Sequence, residues 1–382
     1  MIMKTKKILS LLLSAGIFAA AFSGCGADAG NSSNNSDGEY VLKVGEAQGA
    51  ICHAPLQIAM ENGYLDEEGI KWERVDFGSG DIQAALGAGT IDCGFGLIGK
   101  FVPPIENGLN MVVTSGMHTG CTKILVKADS GINSISDLKG KNIGVSSLAG
   151  SEAVTAKRAL YSAGIDISAA SGEVTFSVYS PSDQPVALMN GAVDAIATPD
   201  PVATSAQEEY GLTVLLDTAV TAPYAQEYCC VSFVSAELAE NHPDIAAGFT
   251  RAVLKGSAWV AAHPEETAQI QVDKEYVTGD VSFIASLLKS YNYIPSVQGG
   301  YEALENVSRD LQTIGVLKSD TDIDALIERS FKYFDNVPDS YDVNGDDFTE
   351  VTEYKNPLLA SKSEMQTDTL NASGEYIDSC CG

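Results

Sequence analysis

The chain has 382 residues, 45% apolar and 19% charged, enough to bury substantial cores. A prior of about 100–200 residues per domain makes roughly two domains. Its 51 acidic against 23 basic residues leave a net charge of −28, which excludes nonspecific nucleic-acid binding, since nothing would neutralise the phosphates, and keeps the surface away from anionic lipid headgroups.

Residues 1–24 read as a processed leader. Lys4, Lys6 and Lys7 form a basic start, and 8–22 is apolar but too short to span a bilayer comfortably. The run Phe22-Ser23-Gly24-Cys25 resembles a bacterial lipobox, so Cys25 is the expected lipidation site and the first mature residue. Residues 25–39, rich in Gly, Asn, Ser and Asp, read as a flexible tether. The expected location is the cell membrane, lipid-anchored and facing outward. Cys25 aside, seven of the eight cysteines remain, an odd number with no C-x-x-C pair, so no disulfide framework is indicated.

From Tyr40 the pattern is strand, loop, helix, repeated. Tyr40, Leu42 and Val44 alternate up to Gly45; Pro55 suits a first helical turn; Leu56, Ala59 and Met60 follow at helical spacing until Asn62-Gly63. Strands are expected over 70–77, 91–95, 111–115 and 122–126, with 116–121 as a loop and helices over 82–87 and 98–107. A second unit follows, in which the run Gly140 to Val145 leads to the loop 146–151, with strands over 174–178, 193–197 and 214–216 and a strong helix over about 152–162. Such alternation marks mostly parallel, doubly wound α/β sheets. A strand over 228–234 crosses back to the first unit. The chain from Ala236 reads as helical, and beyond about Val337 as an acidic, mobile tail.

These pieces, in order, resemble the substrate-binding proteins of ABC importers, in the branch associated with nitrate, aliphatic sulfonates, taurine and thiamine-pyrimidine precursors. The resemblance covers about 40–334. It is carried by Ala54-Pro55-Leu56-Gln57-Ile58-Ala59 leading to Gly63-Tyr64-Leu65-Asp66-Glu67-Glu68-Gly69-Ile70, by residues 84–92, by Asp137-Leu138-Lys139-Gly140-Lys141, by His242-Pro243-Asp244, and by Trp259 through Glu266. It implies a two-lobed type II periplasmic-binding-protein clamshell, each lobe a mostly parallel sheet flanked by helices. Lobe one would take 40–126 and 225–336, lobe two 127–224, and the tail 337–382. A solute in the cleft would favour the closed form by its extra contacts there. Implied partners are a small organic solute (sulfonate-like, pyrimidine-like or related), a membrane permease and its ATPase, with the protein a monomer, not an enzyme, and needing no cofactor.

Four loops match the cleft positions of that family: Ala50 to His53 with Cys52; Ser79, Gly80 and Asp81; Gly94, Phe95 and Gly96; and Ser146, Ser147, Gly150 and Ser151. Ser and Gly ahead of helices offer hydroxyls and open N–H groups for an oxyanion, though caps and tight turns use the same residues. Asp200, between two prolines, is a cleft contact or a turn residue. Tyr224, Glu227 and Tyr228 are hinge or cleft residues. No lysine falls in the four loops, so anion recognition would rest on backbone N–H groups. His53 beside Cys52, and His118 near Cys121, with Cys93 and Cys229, leave open a soft-metal site, against which stand the absence of a zinc spacing and the habit of cysteines to fill buried strand ends. No metal ligand is assigned. A further alternative is an enzyme like the fungal thiamine-pyrimidine synthases, whose cysteine motif only Cys229-Cys230 resembles.

Overall fold

In the computed structural model the residues described are 40–77, 82–345 and 347–353. The chain opens as β1 (Leu42–Ala47), α1 (Ala54–Glu61), α2 (Tyr64–Glu67), β2 (Trp72–Phe77), α3 (Ile82–Gly87), β3 (Cys93–Leu97), α4 (Val102–Glu106) and β4 (Met111–Thr119). A second group follows: β5 (Thr122–Val126), β6 (Lys141–Val145), α5 (Ser151–Ser162), β7 (Val174–Val178), α6 (Gln184–Met189), β8 (Ala195–Pro199), α7 (Val202–Tyr210) and β9 (Thr213–Asp217). The return brings β10 (Cys230–Ser235), α8 (Ala236–Asn241), α9 (Pro243–Ala262), α10 (Pro264–Asp273), α11 (Val281–Ser290), β11 (Asn292–Ser296), α12 (Val297–Thr313) and α13 (Ile323–Ser330). It ends with the hairpin β12 (Ser340–Asn344) and β13 (Asp347–Val351).

These strands form two large sheets. The first has six strands in the order β11-β4-β10-β3-β1-β2, and the second five in the order β7-β6-β8-β5-β9. β1 runs parallel to β2 and β3, while β10 returns antiparallel between β3 and β4. Period-2 alternation places the second sheet's cores. Ile124 and Val126 of β5 face one way, with Leu160 of α5, and Leu125 faces the other, with Leu188 of α6 and Ala203 of α7. In the first sheet Leu42, Val44 and Cys93 are wholly buried, as parallel strands covered on both faces require.

The chain passes between the sheets twice, at Gly120-Cys121 and over residues 218–229. β5 pairs with β8 and β9, so the first crossing falls after Thr119, not after Val126 as the sequence division placed it. The expected loop over 116–121 is mostly strand, because β4 continues to Thr119 and registers His118 opposite Cys230. Helical reading of the C-terminal part also needs correction. β11 adds an edge strand to β4, and an edge is where a proline such as Pro295 fits a sheet. Part of the expected tail forms the β12–β13 hairpin, whose Tyr341 and Phe348 pack edge to face and whose Phe348 meets Tyr64. Aromatics five and more residues apart in an acidic stretch left too weak a pattern to read.

Long-range helix packing fixes where the first lobe's loops point. α9, of 20 residues, lies along α1. α12 sets Ala303, Leu304, Val307 and Leu311 on one buried stripe at helical spacing and is capped by Ser296, whose hydroxyl accepts from the Gly299 N–H at 2.8 Å.

Candidate functional site

The parallel strands of both sheets end at one cleft of about 1040 Å³. Its walls are the segments at or just beyond the ends of β1 (Gln48, Gly49, Ala50), β3 (Leu97, Lys100), β6 (Ser146, Ser147) and β8 (Pro199, Asp200). Carboxyl ends of strands are where open α/β sheets bind ligands.

Of the residues singled out from sequence, Cys52, His53, Ser146, Ser147, Gly150, Ser151 and Asp200 line this cleft. Phe95, Gly96 and His118 do not; they are wall residues of the sheet behind it, Phe95 and His118 at 0% exposure. His118 was expected on a loop, and the extension of β4 buries it. Gly96 leaves room for the Phe101 ring, 2.8 Å from where a Cβ would stand. Glu227 lines a separate small cavity with Arg158, Tyr224 and Cys229. Ser79 and Gly80, with Cys25, lie outside the described residues.

A buried polar chain lies against His53. The His53 Nδ1 faces Glu46 Oε2 at 3.5 Å, and the other oxygen of Glu46 accepts from Gln57 Nε2 at 2.7 Å. Gln271 Nε2 then donates to Gln57 Oε1 at 2.6 Å and to the Ile51 carbonyl at 3.0 Å. This chain pins the start of α1 to α10 and leaves the His53 ring edge-on to Phe95.

The second lobe's cradle is already filled from within. Glu152, in the first turn of α5, accepts through Oε1 from the N–H groups of Ser146 (3.1 Å) and Ser147 (3.3 Å) and from the Ser146 hydroxyl. An acid at a helix start favours that position electrostatically. The donors expected to meet a ligand oxyanion therefore hold a carboxylate of the chain itself. Ser151 is also engaged, its Oγ accepting from the Lys100 N–H at 3.0 Å, a bond from one lobe to the other. Asp200, two residues ahead of α7, accepts from the Thr204 N–H at 2.8 Å and hydroxyl at 2.7 Å, and burial raises its pKa.

Lys100 and Glu152 are the charged cleft residues that sequence reasoning missed. Lys100 follows the Gly-rich end of β3 and supplies an ammonium to a wall for which the four loops offered none. Glu152 was read only as the start of a helix.

Behind the cleft lies a cluster of thiols. Cys121 Sγ and Cys229 Sγ are 3.6 Å apart, and Cys229 Sγ is 3.6 Å from His118 Nδ1. Cys52, Cys230 and His118 form one group of three potential ligands and Cys121, Cys229 and Cys230 another, with ligand atoms within 4.8 Å in each. Burial resists ionisation of Cys229, but hydrogen bonds from Cys121 and Cys230 outweigh it and bring its pKa down to about 6. Among the described residues, His118 Nε2 and the hydroxyls of Tyr291 and Tyr293 are buried without a hydrogen-bond partner, an arrangement that costs about 1–3 kcal/mol for each group. Both tyrosines pack on the His118 ring, with centroids at 5.5 and 5.0 Å. Among the described residues no helix is long and apolar enough to cross a membrane.

Comparison with known proteins agrees with this architecture. The family described as NMT1/THI5 like matches residues 50–267. An aliphatic sulfonates-binding protein of Bacillus subtilis (strain 168) is 29% identical over 273 residues, 69% of this chain and 77% of the relative. A 4-amino-5-hydroxymethyl-2-methylpyrimidine phosphate synthase of Legionella pneumophila is 25% identical over 223 residues, 57% of this chain and 68% of its own. Among solved structures, the periplasmic aliphatic sulphonate binding protein SsuA from Escherichia coli has the same fold. It superposes with a TM-score of 0.62 at 18% identity, over 82% of this chain and 96% of that one. The two sheets are thus the two lobes of a periplasmic-binding-protein fold, and the chain belongs to the NMT1/THI5-like family.

Proposed function

We propose that the protein is the solute-capture component of an ABC importer, taking a small organic molecule into the interlobe cleft and handing it to a permease served by an ATPase. One observation carries the reading: the loops that line the cleft come from the carboxyl ends of strands in both sheets, so one solute touches both lobes. Binding then stabilises the closed state by the contacts made only there, with no covalent step. In this reading the molecule acts as a monomer held at the outer membrane face by a lipid on Cys25.

Glu152 bears on the class of solute. Its carboxylate occupies the N–H groups of Ser146 and Ser147 that a sulfonate would need. A solute that brings hydrogen-bond donors, such as an aminopyrimidine, finds an acceptor already in place; a sulfonate has to displace it or sit nearer Lys100.

The test is a thermal-shift panel of sulfonates and aminopyrimidines, with mass spectrometry of any solute that copurifies. Ser147→Ala and His53→Ala are expected to weaken binding about tenfold each without unfolding the chain, about 1.4 kcal/mol of binding free energy. Unchanged affinity in both variants would move the site out of this cleft. Glu152→Gln should favour sulfonates over aminopyrimidines, and the opposite order would reject the assignment of solute class.

A further inference from the structure

We propose that Cys121, Cys229 and Cys230, with Cys52 or His118 as the fourth ligand, form a buried binding site for one soft metal ion, Zn(II) or Cu(I), at the waist where the chain passes between its lobes. This goes beyond solute capture and does not depend on which solute the cleft holds.

Placement is the first argument. Cys121 sits on the first crossing, between β4 and β5, and Cys229 immediately before β10 at the end of the second. An ion held by both sulfurs ties the two crossings together. The antiparallel register of β4 and β10 sets His118 opposite Cys230, so strand pairing alone delivers ligands from distant parts of the sequence.

Chemistry is the second. Thiolate and imidazole ligands suit soft or borderline ions. Zinc–sulfur bonds of about 2.3 Å in a tetrahedral site put sulfurs about 3.8 Å apart, close to the 3.6 Å between Cys121 and Cys229. Two independent features point the same way. Among the described residues the Nε2 of His118 has no hydrogen-bond partner, although His118 is fully buried. Cys121 holds a backbone φ of 153°, in the region L residues rarely adopt, and such strain persists where surrounding structure enforces it, often at functional positions. The unpartnered hydroxyls of Tyr291 and Tyr293 stand ready as donors supporting the ligands. Ions have a route in, since Cys52 lines the cleft and Cys229 the smaller cavity. Each ligating thiol loses its proton to solvent as its sulfur–metal bond forms, with no change of oxidation state.

To test it, the full chain is purified without oxygen, stripped with chelator and loaded with Zn(II) alone or Cu(I) alone. One equivalent retained through desalting, with the cluster thiols shielded from a thiol reagent, is the expected result, and chelator competition then ranks the two ions. The double variant Cys229→Ser, Cys230→Ser should bind at least ~100-fold more weakly, the upper end of what losing a mere supporting contact costs. Replacing Cys25, Cys380 and Cys381 by serine should change nothing. Because a buried double variant can fail to fold, cadmium NMR of the unmodified chain gives a second readout, a resonance in the range of sulfur-rich coordination. The proposal is overturned by no retained ion, by a cadmium signal of oxygen coordination, or by retention that follows the terminal cysteines. It is equally overturned if a Cys121–Cys229 disulfide forms in air while added metal leaves the thiols reactive.

Discussion

Gly256→Ala should lower stability by about 3 kcal/mol, at the upper end of what overpacking costs, although alanine is the smallest side chain that can be added. Gly256 lies on α9 where it crosses α1. A Cβ there would overlap the Pro55 carbonyl oxygen and come within 3.1 Å of its carbon and 3.2 Å of the Ala59 nitrogen. These neighbours are backbone, so no side chain can swing away, and the two helices must separate. The usual gain in helix propensity from replacing glycine, about 1 kcal/mol, is smaller and of opposite sign. Because α1 carries Cys52 and His53 at its start, separation should also shift one wall of the cleft. Denaturant unfolding checks the first part and solute affinity the second. An unchanged midpoint would mean that α1 and α9 do not pack this closely.

Arg158→Met should cost about 2–3 kcal/mol. Arg158 belongs to α5 of the second lobe and is 8% exposed. Its guanidinium donates to Glu227 Oε2 at 2.7 Å and to Asp310 Oδ2 at 2.8 Å, and lies 5.0 Å from the Tyr224 ring centroid. Glu227 lies on the return crossing and Asp310 on α12, so one cation joins the lobes. Methionine keeps most of the apolar stem, and the loss reports the stranded carboxylates. Breaking a fully buried pair costs about 3–5 kcal/mol; the figure here is lower because the Asp310 side chain is 47% exposed and water screens it. Adding Glu227→Gln to Arg158→Met should recover part of the loss, measured by the same unfolding curves. No recovery would mean that packing, not charge, is what Arg158 contributes.

Much of the fold was legible because local signals agreed. Pro55 at a first turn, Asn62-Gly63 at a stop and the apolar run of β3 each pointed to the element that formed. The strand at Asn292–Ser296 escaped because its proline spoke against a strand, and only its edge position reconciles the two. In the site, glycine- and serine-rich turns after strands marked the cleft loops well. What filled them was harder to see. Glu152 follows Ser146 by six residues, and only the turn between β6 and α5 brings its carboxylate back onto the Ser146 and Ser147 N–H groups. The thiol cluster was half visible as two His/Cys pairs. Its union depends on the β4–β10 register, a contact 112 residues apart in sequence that no local pattern encodes.

The most direct test of solute capture is thermal unfolding of the native chain and of Ala149→Trp, each with and without a solute found in the panel. Ala149 lines the cleft and is exposed, so an indole there fills the site without disturbing a core. At about 100 times its dissociation constant the solute should stabilise the native chain by roughly 2.7 kcal/mol, and Ala149→Trp by almost nothing. Equal stabilisation of both proteins would place the solute elsewhere and contradict capture between the lobes.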